Sequence, residues 1–238
     1  ATKHGLAVVE DAACAIGSEI RMGGRWEMIG RPHGVAACFS FHPRKILTTG
    51  DGGMITTNDT ALDAKLRLLR QHGMSVSDTV RHSSRQVVFE QKTIVGFNYR
   101  MTDIQAAVGR VQLRRLAGLI ARRVELAGRY DRAIGTIPGL ATPYVPDWAR
   151  MNYQSYAVRV GPEYPLGRNE LMQALLDRGI STRRGIMNAH QEQAYAGERV
   201  SLPESEAARD EVILLPLHHE LTDEDQDWVA EQLRELAR

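Results

Sequence analysis

The stretch Phe39-Ser40-Phe41-His42-Pro43-Arg44-Lys45-Ile46-Leu47-Thr48-Thr49-Gly50-Asp51-Gly52-Gly53-Met54 decides how this chain is read. It begins inside an alternating segment, residues 35–41. There Val35, Ala37, Phe39 and Phe41 share one face, and Ala36, Cys38 and Ser40 the other, which is the period of a β-strand. Pro43 breaks the alternation, Gly50-Asp51-Gly52-Gly53 bounds a loop, and residues 54–57 resume a short strand. A strand therefore ends in a hydroxyl, Ser40, and a lysine, Lys45, follows beyond a turn.

Upstream, Leu6-Ala7-Val8-Val9-Glu10-Asp11 is a short apolar run ending in two acids, the pattern of a buried parallel strand with chemistry at its carboxyl end. The Gly-rich residues 21–34 read as a hairpin or an irregular excursion. Open α/β sheets bind ligands outside the carboxyl ends of their strands, so Asp11, Ser40 and Lys45 are expected to face one crevice. An acid, a hydroxyl and a lysine together suit an anionic cofactor that bears an aldehyde. The amine forms a Schiff base when burial or a nearby cation keeps it from permanent protonation. The carboxylate holds a pyridine nitrogen protonated, and the hydroxyl with loop N–H groups receives a phosphate. Each residue also has a plainer role: Asp11 as a turn former, Ser40 as a partner for backbone, Lys45 as a surface lysine. Spacing alone does not choose between them.

Downstream, Asn58-Asp59 caps a helix running to about Gln71, and the polar residues 75–91 read as a mobile loop. Thr102-Asp103-Ile104-Gln105 has the spacing of a capping box and opens a long amphipathic helix. Its expected buried face carries Ile104, Val108, Val111, Ile120, Val124 and Ala127. Residues 135–146, rich in Gly and Pro, end that helix and place a boundary between domains 1–138 and 139–238. The second domain reads as an alternating strand (153–160), a helix (169–177), a Pro-containing segment, an apolar strand (212–215) and a helix from Thr222. The whole predicts an α/β domain followed by a small α+β domain.

The composition, 43% hydrophobic and 25% charged, is that of an ordinary globular chain. A net charge of +1 gives no electrostatic footprint for nucleic acid or an acidic membrane surface. No apolar run reaches the length of a membrane span. Two cysteines are too few for a disulfide framework and fit a reducing cytoplasm, the expected location. The Gly-rich loop lacks the Lys-Ser/Thr of a P-loop. His190 and His218-His219 lack metal-ligand spacing and read as surface or loop histidines, so no metal site is expected.

Residues 39–54 closely resemble the lysine-loop motif of the DegT/StrS family of sugar aminotransferases, which have the aspartate-aminotransferase fold, fold type I. Val8-Val9-Glu10-Asp11-Ala12-Ala13 resembles the family's strand carrying the aspartate of the pyridine nitrogen. Gly96-Phe97-Asn98-Tyr99-Arg100-Met101-Thr102-Asp103-Ile104-Gln105-Ala106-Ala107 is similar to the segment that reaches a neighbouring subunit's active site. The tail, with His190, Gln193-Ala194-Tyr195 and Leu214-Leu215-Pro216-Leu217, follows the family's small-domain pattern.

The resemblance implies a partial fold type I large domain, a mostly parallel sheet with helices, and pyridoxal 5'-phosphate as cofactor. It implies Lys45 as the Schiff-base lysine, which also shuttles a proton, Asp11 at the ring nitrogen and Ser40 at the phosphate. It implies Asn98 at the phosphate of a partner's cofactor, hence a homodimer with shared sites. The reaction implied moves an amino group from an amino acid, glutamate first, to a keto-sugar linked to a nucleotide. The family's dehydratases carry histidine in place of the lysine, and Lys45 argues against that branch. Two departures from the family stand out: Cys14 replaces the usual glutamine next to the cofactor, and Asp51, a milder change, replaces the glutamate of the Gly-Glu-Gly-Gly stretch. The front of the family's large domain is also expected to be missing here. That leaves a second reading, a non-catalytic relative serving oligomerisation or regulation.

Overall fold

Two parallel strands, β1 (Val9–Asp11) and β4 (Ala36–Ser40), form the framework of the amino-terminal half, in the register Val9↔Ala36, Glu10↔Ala37 and Asp11↔Cys38. The structure, a computed structural model, describes residues 1–76, 78–197 and 200–238. Its chain divides into two compact units, Ala1–Leu116 and Ala117–Arg238. The division falls inside a long helix, whereas the sequence places a boundary in the Gly/Pro-rich stretch after it.

In the first unit, β2 (Glu19–Met22) and β3 (Arg25–Met28) make the antiparallel hairpin expected within residues 21–34, beginning slightly earlier. β5 (Gly53–Thr56) pairs antiparallel with β4, giving the order β1-β4-β5. β1 starts at Val9, not Leu6. Close backbone approach locks β1 to the segment before β4: Val35 N–H donates to Val8 O, and a Cβ on Gly34 would lie 2.2 Å from that oxygen. Glu10 Oε1 adds an acceptor for the N–H groups of His33 and Gly34. α1 (Thr60–Leu69) is capped by Asp59, which accepts from Ala61 and Leu62. Within residues 75–91 the structure places a six-residue helix, α2 (Asp78–Ser83), where a mobile loop is predicted; Ser77 lies outside the described residues.

α3 (Asp103–Ile134) begins with the predicted box. Gln105 N–H donates to Thr102 Oγ1 (3.2 Å), and Thr102 N–H donates to Gln105 Oε1 (3.0 Å). The predicted buried face is corrected. Ile104 is 81% exposed, and Val108, Val111 and Val124 are also exposed; the buried residues are Leu119, Arg123, Leu126, Ala127, Tyr130 and Ile134. At 3.6 residues per turn Ile104, Val108 and Val111 lie on one side of the helix and Ile120, Val124 and Ala127 on nearly the opposite side; of the six, only Ala127 is buried. Arg123 is buried because its guanidinium donates to Tyr153 O at 2.8 Å while its stem packs.

The second unit holds β6 (Leu140–Ala141), β7 (Ala149–Arg150), β8 (Tyr156–Val160), α4 (Arg168–Leu176), β9 (Arg183–Arg184), α5 (Pro203–Glu211), β10 (Val212–Leu215) and α6 (Asp223–Glu235). Its sheet runs β6-β8-β10-β9, antiparallel throughout. The side chains of β8 facing inward, Tyr156, Val158 and Val160, meet Ile213 and Leu215 of β10, Leu126 and Tyr130 of α3, Leu171 and Leu175 of α4, and Leu233 of α6 in one cluster. Polar groups in this core are satisfied: Tyr130 Oη donates to Pro216 O, Tyr164 Oη to Leu233 O and Gln226 Nε2 to Leu126 O. No helix among the described residues is long and apolar enough to cross a membrane.

Candidate active site

Asp11 and Ser40 end the neighbouring parallel strands β1 and β4, at the carboxyl edge where open α/β sheets bind ligands. Asp11 is exposed, and its Oδ1 accepts the N–H of Ala13 at 3.0 Å, a turn-forming bond. That is its only hydrogen bond among the described residues. Ser40 Oγ accepts the N–H of His42 at 3.3 Å, which leaves its own hydrogen available as a donor. The plainer roles for both residues are thus present, and neither exhausts the side chain.

The lysine loop is held by its own hydroxyls and backbone. Phe41 N–H donates to Gly52 O, Thr49 N–H and Thr48 Oγ1 to Phe41 O, and Thr49 Oγ1 to Asp51 O. Gly52 has φ 147°, a conformation favouring glycine, and a Cβ there would come within 2.7 Å of Thr49 Oγ1. Lys45 sits in the tight turn closed by its own N–H donating to His42 O. It is half-buried and has no carboxylate partner among the described residues; its Nζ donates to Cys14 Sγ at 2.9 Å.

Two connections were not legible in the sequence. The first is the Cys14–Lys45 contact, spanning 31 residues. The second is Gln105: beyond closing its capping box, its Nε2 donates to Asp51 O at 3.0 Å and ties the start of α3 to the lysine loop. A capping glutamine three residues after Thr102 was visible, but its second partner is a tertiary contact.

Asn98 stands in a different setting. It forms an isolated antiparallel bridge with Gln71, beside Phe97 and Tyr99, whose rings stack with centroids 5.0 Å apart. It is exposed and lines an open cleft of about 350 Å³ with Gln71, His72, Arg100 and Thr102; Asp11, Cys14, Ser40 and Lys45 do not line it. The structure brings Cys14 and Lys45 into contact and places Asp11 and Ser40 on adjacent strand ends, with Asn98 in its own cleft. His190, read as a surface or loop histidine, lies in a short turn with its Nε2 3.0 Å from Glu206 Oε1. The Leu202 N–H and then His190 hold that carboxyl below its ordinary range. Among the described residues no group of His, Cys, Asp and Glu is placed to hold a metal ion.

A half-buried lysine beyond a strand end, with a carboxylate and a hydroxyl on the ends of two adjacent parallel strands, is a set of groups that could hold an aldehyde-bearing phosphate cofactor. The family model for DegT/DnrJ/EryC1/StrS aminotransferases matches residues 1–234, and the chain belongs to that family. It is 38% identical over 99% of its length to GDP-perosamine synthase of Caulobacter vibrioides, covering 60% of that protein. It superposes on the aminotransferase TlmJ of Streptoalloteichus hindustanus with a TM-score of 0.83 at 35% identity, over 99% of this chain and 59% of that one. The PLP-form of Spr1654 from Streptococcus pneumoniae matches 97% of this chain and 57% of its own, with a TM-score of 0.83 at 26% identity. The chain thus spans about three fifths of the length of the curated relatives it matches.

Proposed function

We propose that this chain carries the catalytic lysine of a pyridoxal-phosphate-dependent aminotransferase, which moves an amino group from an amino acid, glutamate first, to a nucleotide-linked keto-sugar. The observation that carries this reading is the placement of Asp11 and Ser40 at the ends of paired parallel strands, with Lys45 held in the loop that follows. The residues fit the cofactor: Lys45 Nζ would take the aldehyde, Asp11 the ring nitrogen and Ser40 Oγ the phosphate, with Cys14 in contact with Lys45. When bound, the cofactor supplies a carbonyl that accepts amino groups and a ring that withdraws electrons from the substrate carbon. Lys45 Nζ takes and returns the proton at that carbon, and Asp11 keeps the ring nitrogen protonated.

The name GDP-perosamine synthase supports a nucleotide-linked sugar as acceptor, and the PLP-form of Spr1654 supports the cofactor. Asn98, apart from Lys45 in its own cleft, suits a residue that serves a partner copy's cofactor, so the assembly we propose is a homodimer with shared sites. Cys14 and Cys38, neither in a disulfide, suit a cytoplasmic location. The domain division we propose is a cofactor-binding portion, 1–138, and a small α+β portion, 139–238. The alternative, a relative that serves oligomerisation or regulation, draws on the uncovered apolar faces of the first unit.

The test is a single turnover. The chain is loaded with pyridoxal phosphate, given glutamate, and assayed for 2-oxoglutarate. The reading predicts release of the oxo acid, up to one equivalent per site, and none from Lys45→Ala. A loaded chain that releases no oxo acid from any amino acid contradicts the aminotransferase reading for this polypeptide.

A further inference from the structure

Lys45 Nζ donates to Cys14 Sγ at 2.9 Å, which places an amine and a thiol in direct contact. Both ends of the contact are anchored. Cys14 lies in the turn after β1, where Ala12 N–H donates to Cys38 O and Ala15 N–H to Ala12 O. Lys45 lies in the loop pinned by Phe41, Thr48 and Thr49. Cys14 is exposed, so a dissolved oxidant reaches its sulfur. The other cysteine, Cys38, is half-buried inside β4, paired opposite Ile55 and Asp11.

We propose that Cys14 and Lys45 are a modification site at which a peroxide joins Sγ to Nζ in a reversible covalent link. In the first step the sulfur attacks the peroxide O–O bond, giving sulfenic acid on Cys14 and releasing water; sulfur loses two electrons and the peroxide gains them. In the second, the neutral Lys45 amine attacks that sulfur. The S–N bond forms, the S–O bond breaks, and the hydroxyl leaves as water with a proton from the amine. This is the condensation by which sulfenic acids capture a backbone nitrogen, with a side-chain amine in its place. The reacting atoms already lie inside the roughly 3–3.5 Å of a near-attack arrangement. A thiol reverses the link by attacking Sγ, which frees the amine and leaves a mixed disulfide; a second thiol then restores Cys14.

The consequence rests on the reading of Lys45 as the cofactor's anchor: a linked Lys45 is closed to pyridoxal phosphate, and a cofactor-bound Lys45 is closed to the sulfur.

The experiment treats the 238-residue chain, its Cys38→Ser variant and its Lys45→Arg variant with hydrogen peroxide, then maps peptides by mass. Cys38→Ser is expected to lose the mass of two hydrogens, yield a peptide pair joined through Cys14 and Lys45, resist trypsin after Lys45, and regain its mass with dithiothreitol. Lys45→Arg is expected to show no such loss, and to accept a sulfenic-acid trap at Cys14 instead. A Cys38→Ser chain that only gains oxygen, with Lys45 still cleaved, overturns the proposal, as does a mass loss in the parent that maps to a Cys14–Cys38 disulfide. Preloading with pyridoxal phosphate separates the two claims: the link forming undiminished in its presence contradicts Lys45 as anchor while leaving the link intact.

Discussion

The two units of this chain solve the burial problem differently. In Ala117–Arg238 the sheet β6-β8-β10-β9 and the helices α4 and α6 close on one cluster, with Leu126, Tyr130, Ile134, Tyr156, Leu171, Leu175, Ile213 and Leu233 removed from solvent. In Ala1–Leu116 the buried apolar side chains are Ala12, Ala36, Ala37, Phe41 and Leu47, while Leu6, Val9, Met54, Ile55 and Ile104 stand in solvent. The first unit thus leaves many large apolar side chains in solvent. The unit that carries the candidate chemistry is therefore held chiefly by hydrogen bonds and turns, and the other by packing. The candidate site residues are positioned by strand ends and a pinned loop, not by a closed core.

The sharpest way to break this comparison is to cut the same kind of atom from each unit. Leu233→Ala removes a fully buried side chain and is expected to cost about 2–5 kcal/mol, read as a drop in the urea midpoint of the second unit's amide-exchange protection. Ile104→Ser, in contrast, should change stability by less than about 0.5 kcal/mol and lower the chain's binding of an apolar dye. Equal losses at both sites would erase the distinction.

A smaller effect tests the hydrogen-bonded unit itself. Thr102→Ala removes the cap of α3 and should cost about 1 kcal/mol, with faster exchange both at the helix start and in the lysine loop that Gln105 braces. Faster exchange at the helix start alone would show that Gln105 does not couple the two.

The second unit should also fail first in alkali. Burial pushes Tyr164 up to about 12, and burial also raises Tyr130 and Tyr156, the latter with help from Asp131. A raised folded value means that this contribution is fully present below the ordinary tyrosine value of 10.0 and is lost as pH rises through the folded values. Between about pH 10 and 12 the ultraviolet signature of tyrosinate should therefore appear together with loss of the second unit's protection. Ionisation without unfolding would contradict the burial.

Much of this was legible in the sequence, for identifiable reasons. Asp59, Thr102 with Gln105, and Thr222 announced three helix starts because caps are local chemistry. The alternation ending in Ser40 gave β4, and the turn residues gave β5. α5 was overlooked inside the Pro-containing segment, although Pro203 at its start and Glu204 and Glu206 in its first turn are the expected signals. On α3 the six apolar positions divide between two opposite sides at 3.6 residues per turn, and only Ala127 among them meets the core. Of the candidate site, the strand-end positions of Asp11 and Ser40 and the loop of Lys45 were legible from pattern and the resemblance. The sulfur–amine contact between Cys14 and Lys45, and the brace from Gln105 to Asp51, join distant segments and leave no trace in local pattern.

The most direct test of the account is the visible absorption of the purified chain after adding pyridoxal phosphate, set beside Lys45→Ala. The account predicts a yellow band that persists through gel filtration in the parent and is absent from the folded variant. A band equally strong in Lys45→Ala, or none in a folded parent, would contradict Lys45 as the residue that captures the cofactor.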